Sequence, residues 1–304
     1  MKPRTIKLLG VQAGRGGRLG GAEDGPYVLR ERGLVYRLHR LGHDVDDLGD
    51  IPGAHETRYS LAASEGVNHL PNVLQVNRHT HACVLGTLRK SPRSFLLVIG
   101  GDHSLAIGTL AGLSDSCKRL GLIWLDAHAD FNTPETSPTG NVHGMSLAVA
   151  CGYGHRDLRM IADVDPLVEE DDVYLLGLRD VDQGEWDNLA ETRVRRMTMD
   201  EWRAGGITQT VLAAARDLAR TCDHVHMSFD IDVIDPTYVR ATGTPVPGGL
   251  SADEACALLA ELSAAELITS AEFVEYNPLL DSDGTTNELT LRLIDTLMAT
   301  GSGS

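Results

Sequence analysis

Leu120-Gly-Leu-Ile-Trp-Leu125 runs straight into Asp126-Ala127-His128-Ala129-Asp130, and later Val225-His-Met-Ser-Phe229 runs into Asp230-Ile231-Asp232. Short apolar runs of this length read as buried strands. Side chains alternate along a strand, so extended backbone would turn Asp126, His128 and Asp130 to one side, and Asp230 and Asp232 likewise. Carboxylates gathered in one volume with an imidazole cannot all stay ionised without compensating positive charge. A pair of divalent metal ions is the natural compensation. One acidic pair after a strand is an ordinary way for a chain to emerge into water or cap a helix. D-x-H-x-D together with D-x-D, each after a strand-like run, is not that pattern. Val98-Ile-Gly-Gly-Asp-His103-Ser104 adds a second imidazole, His103, one strand earlier.

Further strand-like runs occur at Ile6–Val11, Phe95–Ile99, Val173–Leu178 and Ile268–Val274. Helix-like stretches lie between them, at Asn72–Leu88, Leu105–Cys117, Gln209–Cys222, Ala252–Leu262 and Thr286–Thr300. Strand alternating with helix predicts right-handed crossovers and a mostly parallel sheet covered on both faces. The fold class expected is therefore α/β, a single-domain three-layer α/β/α arrangement. Apolar runs without clean polar alternation fit strands buried on both sides. In such sheets ligands bind beyond the carboxyl ends of the strands, where the acidic clusters fall. No repeat or linker divides the chain, so residues 1–300 are expected to form one domain, with Gly301-Ser-Gly-Ser304 a flexible tail.

The 304 residues are 42% hydrophobic and 23% charged, ordinary values for a globular chain. No apolar run is long enough to span a membrane, and Ile6-Lys-Leu-Leu-Gly10 is too short for a signal peptide. The cytoplasm is the expected location. A net charge of −16 speaks against nucleic acid and anionic membranes. Cys83, Cys117, Cys151, Cys222 and Cys256 form no C-x-x-C pair and read as reduced, mostly buried thiols. Gly14-Arg-Gly-Gly-Arg-Leu-Gly-Gly21 lacks G-K-[ST] and does not lead into a helix as G-x-G-x-x-G should, so it reads as a flexible loop rather than a phosphate cradle.

His103, Asp126, His128, Asp130, Asp230 and Asp232 make a ligand set of nitrogen and oxygen without sulfur. It suits hard divalent ions, Mn²⁺ foremost. Six ligands fit two ions better than one, about 3.5–4 Å apart, able to acidify a water molecule for hydrolysis.

The chain resembles the ureohydrolase family, and within it the bacterial-type arginases. The shared strings are Gly100-Gly-Asp-His-Ser-Leu-Ala-Ile-Gly108, Asp126-Ala-His-Ala-Asp-Phe-Asn132, Gly140-Asn-Val-His-Gly-Met145 and Ser228-Phe-Asp-Ile-Asp232. Asp235-Pro236, Thr242-Gly-Thr-Pro245, Gly248-Gly249 and Glu272-Phe-Val-Glu-Tyr-Asn-Pro278 follow in the family's order. The resemblance implies two Mn²⁺ per subunit, His103 and Asp130 on one ion, His128 and Asp232 on the other, with Asp126 and Asp230 bridging. It implies hydrolysis of L-arginine to urea and L-ornithine by a metal-bridging hydroxide, with His143 as proton shuttle and Glu275 pairing with the substrate guanidinium beside Thr244. Asn132 and Thr139 would hold the α-carboxylate, with Asn141 in the same string. Asp182 would hold the α-ammonium, with Glu185 nearby through water. An amidinohydrolase for agmatine, guanidinobutyrate or a modified arginine is the alternative. A homo-oligomer, hexamer or trimer, is also implied. The departures are Thr139 for serine, Val233-Ile234 for Gly-Leu, Ser146 for proline and Tyr276 for valine. Bulk at Val233 and Tyr276 is expected to crowd the surroundings of the ligands.

Overall fold

The computed structural model describes residues 3–54 and 66–299. Its sheet has eight strands: β1 Thr5–Val11, β2 Asp44–Ile51, β3 Phe95–Gly100, β4 Leu120–Leu125, β5 Val173–Leu178, β6 Arg195–Thr198, β7 His224–Asp230 and β8 Ser270–Val274. Their order is β2-β1-β3-β8-β7-β4-β5-β6, and every neighbouring pair is parallel. After β3 the chain leaves the β1 side and places β4 beyond the positions that β8 and β7 later fill. Loops from both halves of the sheet therefore meet at the carboxyl ends of the central strands.

The three expected layers follow from the period of two. In β3, Phe95, Leu97 and Ile99 enter one core, while Leu96 and Val98 enter the other. The first core is closed by helices that include Ile207–Thr221, Ala252–Ala265 and Thr285–Leu297. The second is closed by Leu70–Lys90, Ala106–Ser114 and Ser146–Ala150. The predicted elements match these to within a few residues at their ends. The expected tail at 301–304 lies outside the described residues.

Sequence reasoning misses β2 and β6, for one physical reason. Both are edge strands, paired on one side only and free to carry charge. In β2, Asp46 pairs with Lys7 at 2.6 Å and Asp47 with Arg30 at 2.8 Å, so a run that reads as a polar loop is a strand. The cysteines are unpaired as expected, but only Cys151 and Cys256 are buried. No helix among the described residues is long and apolar enough to cross a membrane.

Helix Ala106–Ser114 carries the His103 turn at its start and crosses helix Leu70–Lys90 at unusually close range. A Cβ on Gly108 would lie 2.5 Å from the Asn77 carbonyl oxygen, and one on Gly112 would lie 2.6 Å from the Val84 Cβ. The Gly108 N–H donates to Asn77 Oδ1 at 2.6 Å, locking the crossing. By contrast, a Cβ on Gly86, in the same long helix, would meet nothing within 4 Å. Two glycine-to-alanine changes should therefore have opposite signs. Gly86→Ala should stabilise by ~0.5–1 kcal/mol through helix propensity. Gly108→Ala should destabilise by ~1–3 kcal/mol through overpacking. Urea denaturation midpoints check both.

Candidate metal centre

The acidic clusters do converge, but not through strand alternation. β4 ends at Leu125 and residues 126–130 form a loop, with Asp130 at φ 48°. Asp230 is the last residue of β7, and Asp232 sits in the single 3-10 turn Ile231–Val233. The loops hold their shape through their own carboxylates. Asp126 Oδ1 accepts from the His128 N–H at 2.7 Å, Asp230 Oδ1 from the Asp232 N–H at 2.8 Å, and Asp232 Oδ1 from the Ala127 N–H at 3.2 Å. Short acidic side chains bond readily to backbone two residues on, which is why these turns are rich in aspartate.

Two groups of side chains there could hold a divalent ion: His103, Asp126 and Asp230, and Asp126, His128 and Asp232. His103 Nδ1 lies 3.2 Å from Asp126 Oδ2, 3.1 Å from Asp130 Oδ2 and 3.2 Å from Asp230 Oδ2. His128 Nδ1 lies 3.4 Å from Asp126 Oδ1 and 3.1 Å from Asp232 Oδ2. Asp126 thus turns one oxygen to each histidine, as a bridging ligand must. Asp230 falls with His103 alone. Trp124 stacks on His103 with ring centroids 4.0 Å apart and donates its indole N–H to Asp126 Oδ2 at 3.0 Å. Sequence reasoning missed this support; its only trace was an aromatic residue two positions before Asp126.

The electrostatics favour a cation. His103 Nδ1 and Asp130 Oδ2 are buried without a hydrogen-bond partner. Burial raises Asp230 well above the usual carboxylate range, and Asp232 and Asp126 raise it further. Burial, with Asp126, pushes Asp130 up to about 6. A buried nitrogen aimed at three carboxylate oxygens is stable only with positive charge between them, and nitrogen-oxygen donors without sulfur fit a hard divalent ion.

A cavity of about 120 Å³ opens over this cluster, lined by His103, His128, Asp130 and Asp230 at its floor. Asn132, Thr139, Asn141, His143, Asp182, Glu185 and Thr244, all expected at the site, line it too. So does Ser137, whose hydroxyl accepts from the Gly140 N–H at 2.9 Å; the hydroxyl-rich approach to Gly140 was its one signal in the sequence. Asn132 Nδ2 donates to Asp182 Oδ2 at 3.1 Å, joining two expected specificity residues. Glu185 is committed to the fold: its oxygens accept from the Phe131 N–H at 3.0 Å and the Asp182 N–H at 2.9 Å. Thr244 donates to Asp232 Oδ2 at 3.0 Å, so its hydroxyl steadies a candidate ligand.

Glu275, at φ 66°, sits beneath His143. Its Oε1 accepts from the His103 N–H at 2.8 Å and lies 3.1 Å from His143 Nδ1. Burial works against charge on His143, but Glu275, with Asp130 and Asp102, outweighs it and holds the imidazole up at about 9. The glycine segment is a docked loop rather than a flexible one. Asp102, buried and overlooked in the sequence, accepts from the Gly16 N–H at 2.8 Å and the Gly17 N–H at 3.2 Å. The Gly16 carbonyl in turn accepts from the His143 N–H at 3.1 Å. A Cβ on Gly16 would lie 2.4 Å from the Ser104 hydroxyl, so the close approach needs glycine. Val233 and Tyr276 do not crowd this site: both pack into the first core, and the Tyr276 hydroxyl donates to Asp281 at 3.1 Å.

The arginase family model matches residues 4–300. Arginase from Bacillus caldovelox is 40% identical over 297 residues, covering 98% of each chain. Arginase from Bacillus subtilis (strain 168) is 39% identical over 295 residues, 97% of this chain and 98% of that one. The native Bacillus caldovelox structure superposes with a TM-score of 0.92 at 39% identity over 100% of both chains. Entamoeba histolytica arginase, solved with L-ornithine, gives 0.89 at 30% identity, covering 99% of this chain and 100% of that one. The chain belongs to the arginase family, and is a ureohydrolase of the bacterial arginase type.

The carboxylate cluster sets a stability expectation. With divalent ions stripped by EDTA, Asp230→Asn should melt at or above the wild type, because one buried like charge is gone. Mn²⁺ at a hundred times its Kd should then stabilise the wild type by ~2.7 kcal/mol per site and the variant by less than half as much. Calorimetric melting with and without Mn²⁺ checks both.

Proposed function

We propose that this protein hydrolyses L-arginine to urea and L-ornithine with two Mn²⁺ per subunit, held by His103, Asp126, His128, Asp130, Asp230 and Asp232. The observation that carries the reading is one small cavity with two chemically distinct ends. A floor of carboxylates surrounds the His103 nitrogen, and Asp182, Asn132 and Thr139 stand above it. A guanidino amino acid has the matching two ends. When bound, the ions acidify a water molecule, so that hydroxide is available near neutral pH.

The remaining roles belong to the chain. Asp182 takes the α-ammonium, while Asn132, Thr139 and Asn141 receive the α-carboxylate. Glu275 offers a carboxylate to the guanidinium, a charge-assisted contact that fixes the reacting carbon over the floor of the cavity. Hydroxide adds to that carbon and the bond to the side-chain nitrogen breaks. The nitrogen must leave as an amine, and His143, held protonated at neutral pH by Glu275, supplies the proton. Ser146 steadies His143, its one hydroxyl proton shared between the Val142 carbonyl at 3.1 Å and the His143 carbonyl at 3.0 Å. The cytoplasm as location and a homo-oligomer, hexamer before trimer, belong to the same proposal; the five free cysteines suit a reducing compartment.

Urea release by Mn²⁺-loaded protein, with L-arginine, agmatine and 4-guanidinobutyrate compared, tests the reading. Arginine should be hydrolysed far faster than the others. A preference for agmatine would retain the chemistry but reject the roles of Asp182, Asn132 and Thr139. Asp182→Ala should raise KM for arginine while leaving the slow agmatine rate near its starting value. His143→Ala should keep both ions, measured by elemental analysis, and lose ~10²–10⁴-fold in kcat. Unchanged turnover in that variant would remove His143 from the proton-transfer role.

A further inference from the structure

On the second face of the sheet, where neighbouring positions are Leu96, Val98, Leu122 and Trp124, β7 and β8 carry a buried polar stripe. His226 lies opposite Ser270 in the parallel register, and Ser228 opposite Glu272. His226, Ser228, Ser270 and Glu272 are all 0% exposed. Alternation turns Val225, Met227, Phe229, Ala271 and Phe273 into the first core, so the stripe lies on the other side of both strands, with Val274 the apolar end of that side in β8. Polar groups placed here cost stability unless they are mutually satisfied, and an apolar residue at each position would pack without that cost.

The contacts run in one direction. His103 Nε2 lies 2.8 Å from Ser228 Oγ, and that hydroxyl donates to Glu272 Oε1 at 2.7 Å. Ser228 has one hydroxyl proton. Since it goes to the carboxylate, the proton of the first contact must come from His103 Nε2, which leaves Nδ1 bare toward Asp126, Asp130 and Asp230. On the far side, His226 Nε2 faces Glu272 Oε1 at 3.6 Å, and Ser270 Oγ lies 2.7 Å from both His226 Nδ1 and His224 Nε2. Burial, reinforced by His226, lowers His224 to about 3, so it stays neutral. Burial pushes Glu272 up, but His226, together with His103 and Ser228, brings it below its ordinary value. The Ser228 arm thus ends on the Glu272 carboxylate as its acceptor, while His226 Nε2 faces that carboxylate without a hydrogen bond.

We propose that Glu272 acts through Ser228 to fix the tautomer and ring orientation of His103, and so sets the affinity of the ion that His103 faces. Glu272 is a positioning residue: nothing places it in contact with substrate. The inference rests on the reading of the cluster as a metal centre. Outer partners of a ligating histidine typically tune metal affinity by about 10–100-fold.

Mn²⁺ binding to the metal-free full chain, followed by titration calorimetry with a competing chelator, tests this without reference to turnover. Wild type should bind two ions; fewer than two would overturn the metal reading itself. Glu272→Gln should weaken one of the two ions by about 10–100-fold and leave the other within about twofold. Ser228→Ala should do the same, and because both changes cut one chain, the double variant should bind no more than about twofold more weakly than either single one. Phe273→Leu, on the same strand but facing the other core, should destabilise the fold without moving either affinity. With two ions bound to wild type, unchanged affinity in both single variants, or losses that multiply in the double variant, would overturn the inference. Ser228→Ala removes one oxygen only, so it decides the matter alone if Glu272→Gln does not fold.

Discussion

Buried like charge is the constraint on which the rest of this structure depends. Asp126, Asp130, Asp230 and Asp232 are each at most 5% exposed and crowd two imidazole nitrogens. Such a cluster is unstable in isolation, and the fold surrounds it with devices that restrain it without neutralising it. Backbone N–H groups of Ala127, His128 and Asp232 take one oxygen each. The Trp124 indole takes another, and Thr244 a further one. None of these donors carries a charge. Arg179 spends its guanidinium on the Asp232, Gly177 and Val246 carbonyls, stitching loops together rather than pairing with a carboxylate. The frame fixes the geometry and leaves the charge to be balanced from outside the chain.

That division explains what was legible in the sequence. Central strands are buried on both faces and read as apolar runs, so β1, β3, β4, β5, β7 and β8 stand out. Edge strands answer to solvent on one side, and β2 and β6 carry no such mark. The candidate ligand set was legible because acidic residues directly after apolar strands have few other uses in such density. The reason given for their convergence was nevertheless wrong. Period two ends with β4, and the D-x-H-x-D loop reaches the same point through a left-handed Asp130 and self-capping carboxylates. A motif can mark residues that converge while the backbone takes a path its spacing does not describe.

Support residues were less legible, since their chemistry is spent on neighbours distant in sequence. Asp102 pins a glycine loop 86 positions earlier, Ser228 meets His103 across 125 positions, and Glu185 holds Phe131 across 54. Only the topology brings these pairs together, because β3, β8, β7 and β4 are neighbours in space but not in the chain. For the same reason Val233 and Tyr276, which stand beside candidate ligand and pocket residues in sequence, turn out to serve the core.

The single register of β7 with β8 joins fold and site most tightly. Its odd-numbered side supplies Val225, Met227, Phe229, Ala271 and Phe273 to the core, and a one-residue slip would move that whole set to the other face. The same register sets Ser228 against Glu272 and brings Asp230 to the strand's end within reach of His103. Hydrophobic burial therefore specifies the polar alignment: the energy that prevents the slip is apolar, and what it fixes is the position of a buried carboxylate relative to a candidate ligand. A sheet held only by its polar stripe would have no such guard, since hydrogen-bonded pairs can re-form one step along. Here the apolar side makes the shifted pairing costly, so the orientation of His103 follows from the packing of the opposite face.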